Sequence, residues 1–172
     1  MKAFGRTLVS IALVGAVVIA PPARAAVPTC FGVRATYVGT SGPDQFAGSS
    51  GRDVIVGLGG DDVLYGMGGN DLICGGPGMD SIYGDDGNDR ISGGGDGDMI
   101  IGGGGSDTLT GGGGNDVLYG DGVIGTALKG RDVLWGGAGD DQLNGGPLAD
   151  TGHGGGGQDT CVSVETADGC ES

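Results

Sequence analysis

Nine aspartates stand nine residues apart without a slip: Asp44, Asp53, Asp62, Asp71, Asp80, Asp89, Asp98, Asp107 and Asp116. After one interruption Asp132, Asp141, Asp150 and Asp159 resume the same spacing, making thirteen. The turns between them are rich in glycine and hold no His or Cys. Carboxylates set at one interval among flexible turns suit the capture of a hard cation through oxygen, from side chains and exposed carbonyls together. The lack of nitrogen and sulfur donors argues against zinc or copper. Mg²⁺ would demand a tighter octahedron than two glycine turns offer. Catalysis finds no foothold, because no nucleophile, base and orienting group occur as a set. The single histidine, His153, falls at an outward strand position and reads as a solvated surface residue.

The elements that must position these carboxylates follow from the same period. Each aspartate is the sixth residue of a nine-residue unit, best kept in Gly111–Tyr119, GGGGNDVLY. Two residues beyond it stand Phe46, Ile55, Leu64, Ile73, Ile82, Ile91, Ile100, Leu109, Leu118, Leu134 and Leu143, then Gly152 and Cys161. A composition of 45 Gly in 172 residues would by itself suggest disorder. A fixed distance between Asp and an aliphatic residue argues otherwise, since disorder needs none. Position four is Gly in every unit but two, which carry Asp96 and Leu148. Six glycine-rich residues therefore make a turn and the last three a strand, whose middle side chain alone points inward. Turn and strand alternate around a flattened coil of two units, and parallel strands stack coil on coil at about 4.8 Å.

With so many copies in phase, Gly39 to Val162 closely resembles the RTX (haemolysin-type) calcium-binding nonapeptide repeat, G-G-x-G-x-D-x-U-x. The resemblance implies an all-β, right-handed parallel β-roll that binds several Ca²⁺ ions as its cofactor, in a bacterial secreted protein. It places a Ca²⁺ between the aspartate and turn carbonyls of one unit and those of the unit 18 residues on. One edge would then hold Asp44, Asp62, Asp80, Asp98, Asp116, Asp141 and Asp159, the other Asp53, Asp71, Asp89, Asp107, Asp132 and Asp150. The pairs Asp62–Asp80, Asp71–Asp89, Asp89–Asp107 and Asp98–Asp116 follow the motif most closely. Units beside Leu148 and the interruption depart from it.

The rest of the chain divides around this block. Residues 1–25 read as a secretory signal: Lys2 and Arg6, an apolar run from Leu8 to Ala20, and Ala23-Arg24-Ala25 for cleavage. That run is too short to span a membrane. Residues 26–38 form an N-terminal cap, in which Arg34–Val38 has the character of a strand covering the first coil. Residues 39–162 form the roll, with a seven-residue insertion carried by 120–129, and residues 163–172 close it. Cleavage takes the net charge from −14 to −17, which excludes nucleic acid as a partner.

Four cysteines in an exported chain should pair. Cys74 and Cys161 would lie about 20 Å apart along a roll, beyond the ~7 Å reach of a disulfide. Local bridges follow, Cys30–Cys74 and Cys161–Cys170. On the outer faces, Tyr65, Tyr83, Ile101 and Tyr119 recur every 18 residues as a possible interaction face for a cell-surface polymer or protein. Arg90, Ser92, Thr108, Thr110 and Trp135 mark the opposite face.

These features point to a secreted calcium-binding module whose roll folds on taking up Ca²⁺ and then serves as an extracellular structural or interaction element. The alternative is an accessory or remnant repeat of a secreted enzyme or toxin system, without a catalytic domain on this chain.

Overall fold

A computed structural model describes residues 26–122 and 129–171. The signal reading of residues 1–25 and the centre of the insertion lie outside the described residues. Aliphatic triplets form strands, and the glycine turns after them reverse the chain, so successive units fall alternately into two parallel sheets. The seven-stranded sheet contains Gln45–Ala47, Val63–Tyr65, Ser81–Asp86, Met99–Gly104, Val117–Asp121, Gln142–Asn144 and Thr160–Val162, side by side in that order. The eight-stranded sheet contains Tyr37–Val38, Val54–Val56, Leu72–Pro77, Arg90–Gly95, Thr108–Gly113, Val133–Ala138, Thr151–Gly156 and Thr166–Asp168. The result is a β-roll with no helix among the described residues. None of them forms a helix long and apolar enough to cross a membrane.

Register follows the repeat. Leu64 pairs with Ile82 and Ile73 with Ile91, each 18 residues on. Across the insertion Leu109 pairs with Leu134 and Leu118 with Leu143, 25 apart, so seven extra residues are absorbed in one turn without slipping a strand. The core is a single file of Ile and Leu from Ile55 to Leu143, closed by Tyr37 and Phe46 at one end and Cys161 at the other. Gly152 leaves a gap in that file, and Val164 fills it: a Cβ on Gly152 would lie 3.3 Å from Val164 Cγ1.

Strands in the middle coils run six residues rather than three, as in Leu72–Pro77 and Ser81–Asp86. Glycines at the first positions of the next unit continue the ladder, which their lack of side chain hides from propensity. The first of them, such as Gly75 and Gly84, is a second inward position beside the aliphatic one.

The N-terminal cap is built differently from the expected single strand. Only Tyr37–Val38 extends the roll, pairing with Ile55–Val56. Thr29–Cys30 and Val33–Arg34 make an antiparallel hairpin that packs on the outer face. There Cys30 meets Val54 and Val56, flanked by Phe31, Ala35, Leu72 and Cys74. Disulfides join Cys30 to Cys74 and Cys161 to Cys170, both with Cα atoms 5.7 Å apart. The closing segment adds Thr166–Asp168 beside Thr151–His153.

Candidate metal centre

The thirteen aspartates form the two columns expected, one along each edge where the turns meet the sheets. All but Asp44 are buried. From Asp62 onward each carboxylate uses one oxygen in the same way: Oδ1 accepts the backbone N–H of the aspartate one coil earlier. Eleven such bonds, from Asp44 N–H to Asp62 through Asp141 N–H to Asp159, span 2.7–3.0 Å. The last aspartate of one column, Asp150, donates its N–H to Glu165 of the closing segment.

The other oxygen is left over. In Asp62, Asp71, Asp80, Asp89, Asp98, Asp107, Asp116, Asp132, Asp141, Asp150 and Asp159, Oδ2 is buried and has no partner among the described residues. An unpaired carboxylate oxygen out of water is costly, and a column of them more so. Each orphan lies beside the first glycine of its own turn. For Asp62, Asp71, Asp80, Asp89, Asp107, Asp116, Asp132 and Asp141 the carbonyl of the matching glycine one coil on closes the gap, while Ser163 and Gly169 supply it for Asp150 and Asp159. A Cβ on Gly84 would sit 2.4 Å from Asp89 Oδ2 and 2.5 Å from the Gly102 oxygen. The cradle is therefore made of oxygens alone and is kept open by glycine, a donor set that fits a hard cation.

The electrostatics carry the same mark. Burial pushes the Asp71, Asp80 and Asp116 carboxyls up to about 6, those of Asp89, Asp98 and Asp132 to about 7, and that of Asp107 to about 8. The N–H from the preceding coil lowers each in part, and neighbouring carboxylates raise it again. No three His, Cys, Asp or Glu side chains gather as a metal cluster among the described residues, so carbonyls must complete any site.

Two members of the columns differ from the rest. Thr40 N–H and Oγ1 bond Asp44 Oδ2 at 2.6 and 2.9 Å, and Ser49 does the same to Asp53. A hydroxyl at the second turn position satisfies these first carboxylates locally. Beyond the interruption the columns run on undisturbed: Asp132, Asp141, Asp150 and Asp159 keep the pattern despite the insertion and Leu148.

Asp121, a buried acid in the interrupted turn, was not foreshadowed by the nine-residue spacing. Only its place immediately after the turn-opening Gly120 hints at it. His153 is more engaged than a solvated residue: its ring stacks on Trp135 with centroids 3.8 Å apart, and Nδ1 bonds Asp168. It lies on the outer face, away from both columns. Tyr65, Tyr83, Ile101 and Tyr119 do align in one half-buried row, with Tyr65 and Tyr83 stacked at 4.9 Å.

A family model described as RTX calcium-binding nonapeptide repeat matches the chain in four copies, over residues 38–73, 74–109, 92–127 and 124–151. The chain belongs to the RTX calcium-binding nonapeptide repeat family. A search of curated proteins finds no match. The repeats of this family bind calcium, in agreement with the oxygen-only cradles; the family found is a structural repeat and not a catalytic one.

Proposed function

We propose that this RTX protein is a secreted module whose roll is completed by several Ca²⁺ ions, seated in the gaps between successive turns of each column. The observation that carries this reading is the file of buried Oδ2 atoms without partners, one per turn from Asp62 to Asp159. Bound calcium supplies the positive charge that these columns otherwise lack. The aspartates hold adjacent coils through Oδ1, the turn-opening glycines keep Oδ2 accessible, and carbonyls of the next coil converge on the same gap. Asp44 and Asp53 act as the first rungs, their outer oxygens tied by Thr40 and Ser49.

A core one side chain thick, set against the entropy of a glycine-rich chain, leaves cation binding as the term that decides folding. Extracellular calcium modules work at about 10⁻⁴ to 10⁻³ M, well above cytosolic levels, which suits a chain that folds after export. The net charge of −14 and the signal-like residues 1–25 support that location. Circular dichroism of the mature chain should show a coil-like spectrum in EDTA and a strand spectrum as Ca²⁺ rises. Coincident spectra would sink the proposal.

Once folded, the roll offers the stacked Tyr65–Tyr83 row, continued by Ile101 and Tyr119, as a contact surface for a polymer or protein. Replacing Tyr65, Tyr83 and Tyr119 by Ser should abolish calcium-dependent retention on cell-surface material. Unchanged retention would remove the row from the proposal.

A further inference from the structure

Asp121 stands outside the regular columns, as the second residue of the interrupted turn. Its backbone pairs with Gly103 one coil earlier. The side chain is only 7% exposed. Its Oδ1 accepts the Gly130 N–H at 3.3 Å, and its Oδ2 has no partner among the described residues. That free oxygen is aimed at the next coil: a Cβ on Gly146 would sit 2.5 Å from it. In the same gap Asp132 Oδ2 is also without a partner. A Cβ on Gly120 would sit 2.4 Å from Asp132 Oδ2 and 2.6 Å from the Gly145 carbonyl oxygen. Gly120–Asp121 of one turn thus face Gly145–Gly146 of the next, and two buried carboxylate oxygens share a gap that holds one elsewhere. Lys129 is the basic residue whose charge reaches Asp121, yet it is exposed and forms no ion pair with it among the described residues. A cavity of about 220 Å³, lined by Tyr119, Asp121, Gly122, Asn144, Gly146 and Pro147, opens beside the gap and gives a cation a way in.

We propose that Asp121 and Asp132 together make a divalent-cation site of higher negative charge than the regular turns, filled at lower Ca²⁺ than the rest of the roll. Affinity of oxygen sites rises with the number of charged ligands, which sets this gap apart from its neighbours. The inference rests on the calcium reading above. It gives the insertion a purpose, as a seed from which the coils on either side order.

Calorimetric Ca²⁺ titration, followed in parallel by circular dichroism, tests it on the wild type, Asp121→Asn, Asp121→Glu and the exposed-charge control Glu171→Gln. The wild type and Glu171→Gln should show a first step at least about tenfold tighter than the main transition. Asp121→Asn should lose that step and still fold at saturating Ca²⁺. Asp121→Glu, which keeps the charge and has the cavity to extend into, should retain the step within about threefold. A wild-type titration without a separate first step, an Asp121→Asn curve superimposing on that of Glu171→Gln, or equal loss in the Asn and Glu variants would overturn this site alone. Failure of the wild type to take up Ca²⁺ would overturn the calcium reading with it.

Discussion

Leu148 occupies the fourth turn position at φ +98°, where Gly60, Gly78 and Gly139 adopt φ of +101°, +124° and +133°. A branched side chain pays for that left-handed backbone, and with 54% of it exposed Leu148 gains little burial in return. Leu148→Gly should therefore stabilise the calcium-loaded roll by roughly 1 kcal/mol, after the added chain entropy of glycine is offset. A raised thermal midpoint in Ca²⁺ checks it. The carboxylates make a second prediction at this scale. Their folded values of about 6 to 8 lie above the ~3.9 of an unfolded chain, so the folded state binds more protons than the unfolded one. Stability of the metal-free roll should then rise as pH falls through 8 toward 6 and level off near 4. In Ca²⁺ the sense reverses, because protons compete for the same oxygens, and more Ca²⁺ is needed at pH 5 than at pH 8. Circular dichroism of EDTA-treated protein, coil-like at neutral pH, should gain strand signal as pH falls toward 4, and Ca²⁺ titrations at pH 5 and pH 8 read the opposite slope.

The six-residue strands from Leu72–Pro77 to Val133–Ala138 offer the core one aliphatic side chain and one glycine hydrogen, and both are intolerant for different reasons. Ile91 lies between Ile73 and Leu109 in the file, with no second layer to close over a void. Ile91→Ala should cost about 2–5 kcal/mol, read by calcium-dependent unfolding. Gly84→Ala places a methyl within 2.5 Å of both Asp89 Oδ2 and the Gly102 oxygen. It should weaken calcium-induced folding, raising the Ca²⁺ midpoint severalfold, because the methyl fills the cradle itself. Much of this was readable beforehand. The Asp and Ile/Leu columns, the 18-residue register and both cysteine pairs follow from spacing, since a strict period fixes which residues become neighbours. The six-residue strands were not, because glycine carries no strand signal. Nor were the hairpin on the outer face and the Trp135–His153 stack, which occur once and obey no period. Asp121 escaped for the same reason: its burial depends on how an inserted turn folds, and an insertion breaks the pattern that made the other carboxylates visible.

At the scale of the molecule, the ends matter because a stacked roll must stop somewhere. The Cys30–Cys74 bridge closes a 44-residue span and fastens the hairpin to the second and third coils. Its reduction should lower stability by up to about 4 kcal/mol on the chain-entropy account, with the first coils losing protection to hydrogen exchange before the rest. At the opposite end Glu165 takes the place of the missing aspartate by accepting the Asp150 N–H. Glu165→Ala should leave that donor unpaired and cost about 1 kcal/mol or more, whereas Glu171→Ala, whose side chain is exposed, should change little. Comparative melts of the two variants in Ca²⁺ decide it.

From Asp44 to Asp150, each aspartate N–H in the columns is answered by a carboxylate that comes later in the chain, never earlier. This gives the rod an arrowhead. Peeling away its first coil merely returns a carboxylate oxygen to water, while stripping its last exposes an unanswered donor in what remains. As the roll forms, each coil needs the following one in place before its own bonds can close, and so order in the stack is locked from its C-terminal side.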